Sequence, residues 1–188
     1  NNLDPARGRL DGARAIRSLN PLSATTPVGS WWFSQGGGAA YVGAALQPTY
    51  APDVNLKVSY AGAPPIDLIP TLQKVEGGAL SGLIGYGVNG FAGTYPEVRK
   101  AVEENINTSG RKNLAKLANS CVADTLFGYA YQDTGKWTHD GKPLVEFLQK
   151  YPEVVKVFDD QRGASVPTQN ARVGLDANPH DAVVPYDT

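Results

Sequence analysis

Apolar and polar positions along this chain follow two rhythms, one of helices and one of strands. Residues 5–18 repeat apolar side chains every three to four positions, at Leu10, Ala13 and Ile16, which predicts a helix. Asp4 is placed to cap it, Pro5 suits a first helical position, and Asn20-Pro21 ends it. Val28 to Phe33 is a short apolar run that reads as a strand. From Ala39 to Leu46 the residues are small and apolar, as in a buried helix, and Pro48 and Pro52 bracket the loop beyond. Residues Asn55 to Ala61 place Leu56, Val58 and Tyr60 in the alternation of a second strand, which Gly62-Ala63-Pro64-Pro65 stops.

From Ile66 to about Val166 the strand rhythm gives way to helical periodicity. Pro96 opens a segment with Val98, Ala101, Val102 and Ile106 on one face. A second segment carries Leu114, Leu117, Ala118, Cys121 and Val122. A third has Leu144, Phe147, Leu148 and Tyr151, and Pro152 starts a fourth with Val154, Val155 and Phe158. The apolar stretch from Ala79 to Ala92 is threaded with glycines, each costing a helix about 1 kcal/mol against Ala. Two readings fit it: close helix packing through small residues, or a mobile, lipid-contacting cap element that would face an acyl chain. After Pro167 a strand returns from Ala171 to Leu175, followed by a loop with Asp176, Asn178, His180 and Asp181, then Val183-Val184-Pro185.

Strands alternating with helices imply a parallel sheet covered by helices. The expected organisation is an α/β core over residues 1–65, a helical lid or cap insertion over 66–166, and a core strand with an acidic loop over 167–188.

The centre of the pattern is Trp31-Trp32-Phe33-Ser34-Gln35-Gly36-Gly37-Gly38. A strand that turns into a helix through a Ser beside glycines is the layout of a nucleophile elbow. The sharp turn exposes the Ser34 hydroxyl, and the N–H of Gln35 faces a developing oxyanion. The usual Gly two residues before the Ser is Trp32 here, which should crowd the turn. The bland alternative is a glycine-rich packing turn. A phosphate-binding loop is excluded because no Lys follows the glycines.

Composition narrows the classes. With 41% apolar and 19% charged residues the chain is an ordinary globular one, and a net charge of −1 offers nothing to nucleic acid or to an acidic membrane surface. No apolar run is long enough to span a membrane. Cys121 is the only cysteine, so no internal disulfide forms. No metal-ligand spacing and no dinucleotide fingerprint occurs, so no cofactor is expected. The chain starts at Asn1 rather than Met, as expected of a processed product or a fragment.

Three motifs now stand together in order: Trp31 to Ala40, then Tyr60-Ala61-Gly62-Ala63-Pro64-Pro65-Ile66-Asp67-Leu68, then His180-Asp181-Ala182-Val183-Val184-Pro185. With them the chain resembles the secretory lipase family of α/β-hydrolases, which includes actinobacterial secreted lipases and the yeast lipase A type. The resemblance covers essentially the whole chain. It implies an α/β-hydrolase-type parallel sheet, incomplete here, with a helical lid, and a secreted lipase or esterase acting on acyl esters, some at a lipid interface. It implies Ser34 as nucleophile and Asp181 as the acid of the triad. It also implies a second oxyanion donor upstream of Asn1 and a triad His downstream of Thr188, so the missing segments are needed and the chain alone is expected to be inactive.

A Ser nucleophile needs a base within hydrogen-bond reach. Only His139 and His180 are present. His139 sits in a turn-like tip of the helical insertion, and His180 adjoins Asp181; each is expected to be an ordinary loop residue. Asp176 competes with Asp181 for the acid role, and Asp67 is expected to cap a helix. The reading is a carboxylic ester hydrolase; its alternative is a non-catalytic, hydrolase-like binding or assembly subunit.

Overall fold

The computed structural model describes residues 2–162 and 170–186, and it divides into two compact units. One comprises Asn1–Asp67 with Gln161–Thr188, the other Leu68–Asp160. The expected end of the helical block near Val166 and the turn at Pro167 lie outside the described residues.

The first unit holds a parallel three-stranded sheet in the order β1 (Val28–Phe33), β2 (Leu56–Gly62), β3 (Arg172–Asp176). Each strand lies within a residue of its expected position. Helix α2 (Gln35–Tyr50) connects β1 to β2 and covers one face of the sheet, and α1 (Leu3–Leu19) lies against α2.

Two boundaries differ from expectation. Helix α1 begins at Leu3, so Asp4 lies within its first turn and the capping position falls to Asn2, which is buried and makes no side-chain cap bond. Asn2 instead donates from Nδ2 to the Pro65 carbonyl at 3.1 Å, a tertiary bond that carries the helix past the local stop signal. Helix α2 begins at Gln35 and takes Pro48 into its last turn before ending at Tyr50. Burial of its Gly and Ala face outweighs both the glycines at one end and the proline at the other.

Smallness governs that face. Gly37, Gly38, Ala39, Ala40, Gly43 and Ala44 are all buried. Ser59 of β2, fully buried, donates its hydroxyl to the Ala40 carbonyl at 2.8 Å, which satisfies the hydroxyl where no water reaches. At the far end, Leu10, Ala44, Ala51, Val54 and Leu56 form the core, with Val28 and Val173 packed on it.

Ion pairs tie α1 to the loop before β2. Asp53 receives Arg14 at 2.6 Å and Arg17 at 2.7 Å, and Arg14 also reaches Asp11 at 2.9 Å. The hydrogen bonds from Arg14 and then Arg17 hold the Asp53 carboxyl well below the usual carboxylate range.

The second unit is helical: α3 (Leu68–Val75), α4 (Gly82–Thr94), α5 (Pro96–Asn105), α6 (Thr108–Leu117), α7 (Val122–Gly128), a 3₁₀ turn over Thr134–Trp137, α8 (Leu144–Leu148) and α9 (Pro152–Asp159). The segment expected as one helix through Leu114 and Val122 is two. Cys121 sits in extended backbone at the start of α7, and the Asp124 carboxylate accepts its N–H at 3.3 Å. Helix α4 buries Ile84, Val88 and Phe91. Its glycines answer to packing: a Cβ at Gly82 would strike Thr125 and Tyr129, and one at Gly85 would strike Leu117. Of the two readings of the glycine-rich stretch, close helix packing accounts for these positions.

Two outcomes are expected. Replacing Gly37 by Ala drives a Cβ into the Gly62 carbonyl oxygen, so thermal or urea unfolding should show a loss of about 1–3 kcal/mol. Asp53→Asn should lower Tm near pH 7. A carboxylate depressed on folding stabilises above its unfolded pKa, near 4, and that contribution disappears as pH falls toward the depressed folded value. Melting curves of the wild type and the variant should therefore converge in acid, and a constant gap across the whole range would refute the linkage.

Candidate active site

The turn from β1 into α2 sets the backbone of Ser34. Its N–H donates to the Gly62 carbonyl at 2.8 Å, and its own carbonyl accepts the Gly38 N–H at 3.0 Å. Between these two bonds the residue is held at φ 56°, ψ −129°. An L-residue rarely adopts this region, and it costs about 1–3 kcal/mol. Strand and helix hold it there because Gly37 lies directly against Gly62, leaving the chain no wider path. Ser34 is exposed and its hydroxyl has no partner among the described residues.

The first helical N–H groups complete the picture. Gly38 is the first residue of α2 to donate within the turn, so the Gln35 N–H is one of the orphan donors at the helix N-terminus. An orphan N–H at a helix N-terminus is suited to a nearby negative charge. The structure places Ser34 and Gln35 at this one turn, at the carboxyl end of β1.

Trp32 fits the turn by an arrangement the sequence did not disclose. Its Cβ would lie 3.2 Å from a Cβ at position 36, so Gly36 is what admits it. The indole is 53% exposed and is covered by Arg9 of α1, whose guanidinium carbon lies 4.2 Å from the ring centroid. Arg9 Nη1 also donates to the Gly36 carbonyl at 2.8 Å. Desolvation holds the Arg9 pKa below its ordinary value.

The acidic loop leaves the carboxyl end of β3. Asp181 is half-buried, its N–H donates to the Asn178 carbonyl at 3.0 Å, and its Oδ1 accepts the N–H groups of Val183 at 2.7 Å and Val184 at 3.0 Å. Two backbone donors fix the orientation of that carboxylate. Its competitor Asp176 ends β3 opposite Gly62 and accepts the Tyr60 hydroxyl at 3.0 Å, which pushes the Tyr60 pKa up. Asp67 immediately precedes α3 and forms an ion pair with Arg162.

The two histidines stand elsewhere. His139 is an exposed residue of the second unit, its N–H bonded to the Asn105 carbonyl at 2.9 Å. His180 is exposed in the acidic loop, its N–H bonded to Asn178 Oδ1 at 2.9 Å. His180 makes no hydrogen bond to Ser34 among the described residues. Two further features escaped the sequence. Ala63, in the turn after β2, has φ +41° and donates its N–H to the Asp176 carbonyl at 2.6 Å, tying the end of β2 to the end of β3. Arg9 reaches the elbow from another element, and no local pattern distinguishes it from its neighbours.

Among the described residues no helix is long and apolar enough to cross a membrane, and no cluster of three His, Cys, Asp or Glu side chains is placed to hold a metal ion.

Comparison with known proteins follows the same elements. The chain is similar to a probable inactive lipase of Mycobacterium tuberculosis (strain CDC 1551 / Oshkosh), at 34% identity over 88% of this chain and 37% of that one. It is similar to a secreted triacylglycerol lipase of Malassezia furfur, at 26% identity over 97% of this chain and 39% of that one. The fold matches the crystal structure of Candida antarctica lipase A with a TM-score of 0.82 at 21% identity, over 95% of this chain and 42% of that one. The chain thus spans roughly two fifths of each of these three proteins, and its fold is part of the α/β-hydrolase fold, as the sequence motifs imply. The sequence model of the Secretory lipase family matches residues 2–187, and the chain belongs to that family.

Proposed function

We propose that this chain is the nucleophile-bearing part of a secreted carboxylic ester hydrolase, a triacylglycerol lipase or esterase. The observation that carries the reading is Ser34, exposed at φ 56°, ψ −129° between a parallel strand and a helix N-terminus. In the reaction Ser34 Oγ attacks the ester carbonyl while a His takes its proton. The oxyanion of the tetrahedral intermediate accepts the Gln35 N–H. The protonated His then releases the alcohol, leaving an acyl group on Ser34, and water reverses the sequence to free the acid. Asp181 orients the His and stabilises its charge, its own carboxylate held by the Val183 and Val184 amides.

The His and the second oxyanion donor belong to segments outside these residues, in keeping with the share of each relative that the chain covers. The sheet supports the same reading. Trp31, Phe33 and Val58 stand 73%, 68% and 47% exposed on the face opposite α2, an apolar surface suited to further segments of the same protein. The helical unit Leu68–Asp160 takes the part of the helical lid that the family resemblance implies.

A non-catalytic, hydrolase-like binding subunit is the second reading. The similarity to a protein named as a probable inactive lipase favours it, as do the exposed positions of both histidines.

A fluorophosphonate probe and p-nitrophenyl butyrate, applied to the longest natural polypeptide containing these residues, separate the two. Ser34→Ala should abolish labelling and turnover, and Asp181→Asn should slow turnover by about 10⁴-fold, Asp176→Asn far less. The 188 residues alone should be nearly inactive. Labelling of neither form would establish the binding subunit. Turnover by the isolated chain that is lost in Ser34→Ala would instead place His139 or His180 in the mechanism.

A further inference from the structure

Trp32 leaves a mechanical problem in the elbow. Position 32 sits on the strand arm and Gly36 on the helix arm, and a Cβ at 36 would lie 3.2 Å from Trp32 Cβ and 3.4 Å from its Cε3. The indole thus rests on the backbone of the first helical turn. A half-exposed ring with only a glycine on the helix arm has room to swing, and each swing would pry the two arms apart. Ser34 and Gln35 lie between those arms, so the direction of the hydroxyl and of the amide N–H follows from the angle at which the arms are held.

Arg9 touches both arms. Its guanidinium lies 4.2 Å from the Trp32 ring centroid, a stacking distance, while Nη1 donates to the Gly36 carbonyl at 2.8 Å. A planar guanidinium can stack on a ring and donate in its own plane at once, which an ammonium cannot.

The charge is otherwise poorly provided for. The other arginines of α1 each meet a carboxylate: Arg7 meets Asp4, Arg14 meets Asp11 and Asp53, and Arg17 meets Asp53. Arg9 is partly buried and has no acid partner among the described residues. A cation beside the first turn of a helix also opposes the helix dipole. Neither solvation nor helix electrostatics accounts for its place, whereas contact with the elbow does.

We propose that Arg9 is a positioning residue of the nucleophile elbow, clamping Trp32 to the first turn of α2 and so fixing Ser34 Oγ and the Gln35 N–H. It does the work that the absence of a side chain at position 32 would otherwise do. The inference rests on the reading of Ser34 as nucleophile, and its test keeps the two apart.

Arg9→Ala, Arg9→Lys, Trp32→Gly and the double variant Arg9→Ala/Trp32→Gly are compared in the longest natural polypeptide containing this chain. Two readouts are taken: the rate of Ser34 phosphonylation by a fluorophosphonate, and hydrogen exchange of the Ser34 and Gly38 amides, which are bonded across the turn. Arg9→Ala should slow phosphonylation about 10–100-fold, the scale of a small misplacement of reacting groups, and speed exchange at 34 and 38. Any ester substrate turned over should show the loss in kcat with KM little changed. Arg9→Lys should recover only part of the rate, and it also serves if Arg9→Ala does not fold. In the Trp32→Gly background the loss of Arg9 should change both readouts less than about 3-fold, a strong departure from additivity. Equal slowing in both backgrounds, or a lower Tm with both readouts unmoved, would overturn the clamp. If the wild type is not labelled at all, the ester-hydrolase reading fails and exchange alone judges the clamp. Faster exchange at 34 and 38 only when Trp32 is present would uphold it, and unchanged exchange would overturn it.

Discussion

The start of α2 has to lie on the end of β2, and most of the first unit follows from that single close approach. The Gly62 carbonyl accepts the Ser34 N–H at 2.8 Å, and no side chain fits at Gly37 above the same oxygen. Once helix and strand meet at this distance the backbone between them cannot turn gently. Ser34 takes a positive φ because every milder conformation would lift the helix off the sheet. Small residues continue along α2 for the same reason, and the buried Ser59 hydroxyl bonds to the Ala40 carbonyl, since a larger spacing would leave that hydroxyl without a partner.

Polar interactions divide between the two ends of this layer. At the far end Arg14, Arg17, Asp11 and Asp53 form an exposed network that fastens α1 to the loop before β2. Exposed pairs of this kind stabilise modestly and are screened by salt. At the carboxyl ends of the strands the polar groups are fewer and more specific. The Asp181 carboxylate is fixed by two backbone amides, the Ala63 N–H binds the Asp176 carbonyl, and Arg9 lies on Trp32. A site that develops charge during a reaction benefits from donors fixed in advance, because nothing then has to reorganise.

The second unit is organised by steric fit. Phe91 meets Phe158 at 4.6 Å between centroids, and Tyr129 meets the buried Trp137 edge-on at 6.0 Å. Gly82 and Gly85 let α4 approach Thr125 and Leu117, so the glycines that weaken the helix locally tighten its packing. That balance is invisible in a helix propensity, which counts only the loss.

Local chemistry wrote the strands, the elbow and the acidic loop plainly into the sequence. Alternation at Leu56, Val58 and Tyr60, the glycines after Ser34 and the Asp before Val183-Val184-Pro185 each act within a few residues, so a linear reading finds them. Tertiary structure decided the rest. The N-terminus of α1 moved past Asp4 because Asn2 found a partner at Pro65, and the run through Leu114 and Val122 broke at Cys121, which starts a new helix. From Gly82 onward the glycine-rich stretch became packed helix because Thr125 and Leu117 came to lie against it. Trp32 was legible as an anomaly, but its accommodation was not. The indole is held by Arg9, a residue of another helix, and nothing along the chain records which side chains folding brings within 4.2 Å.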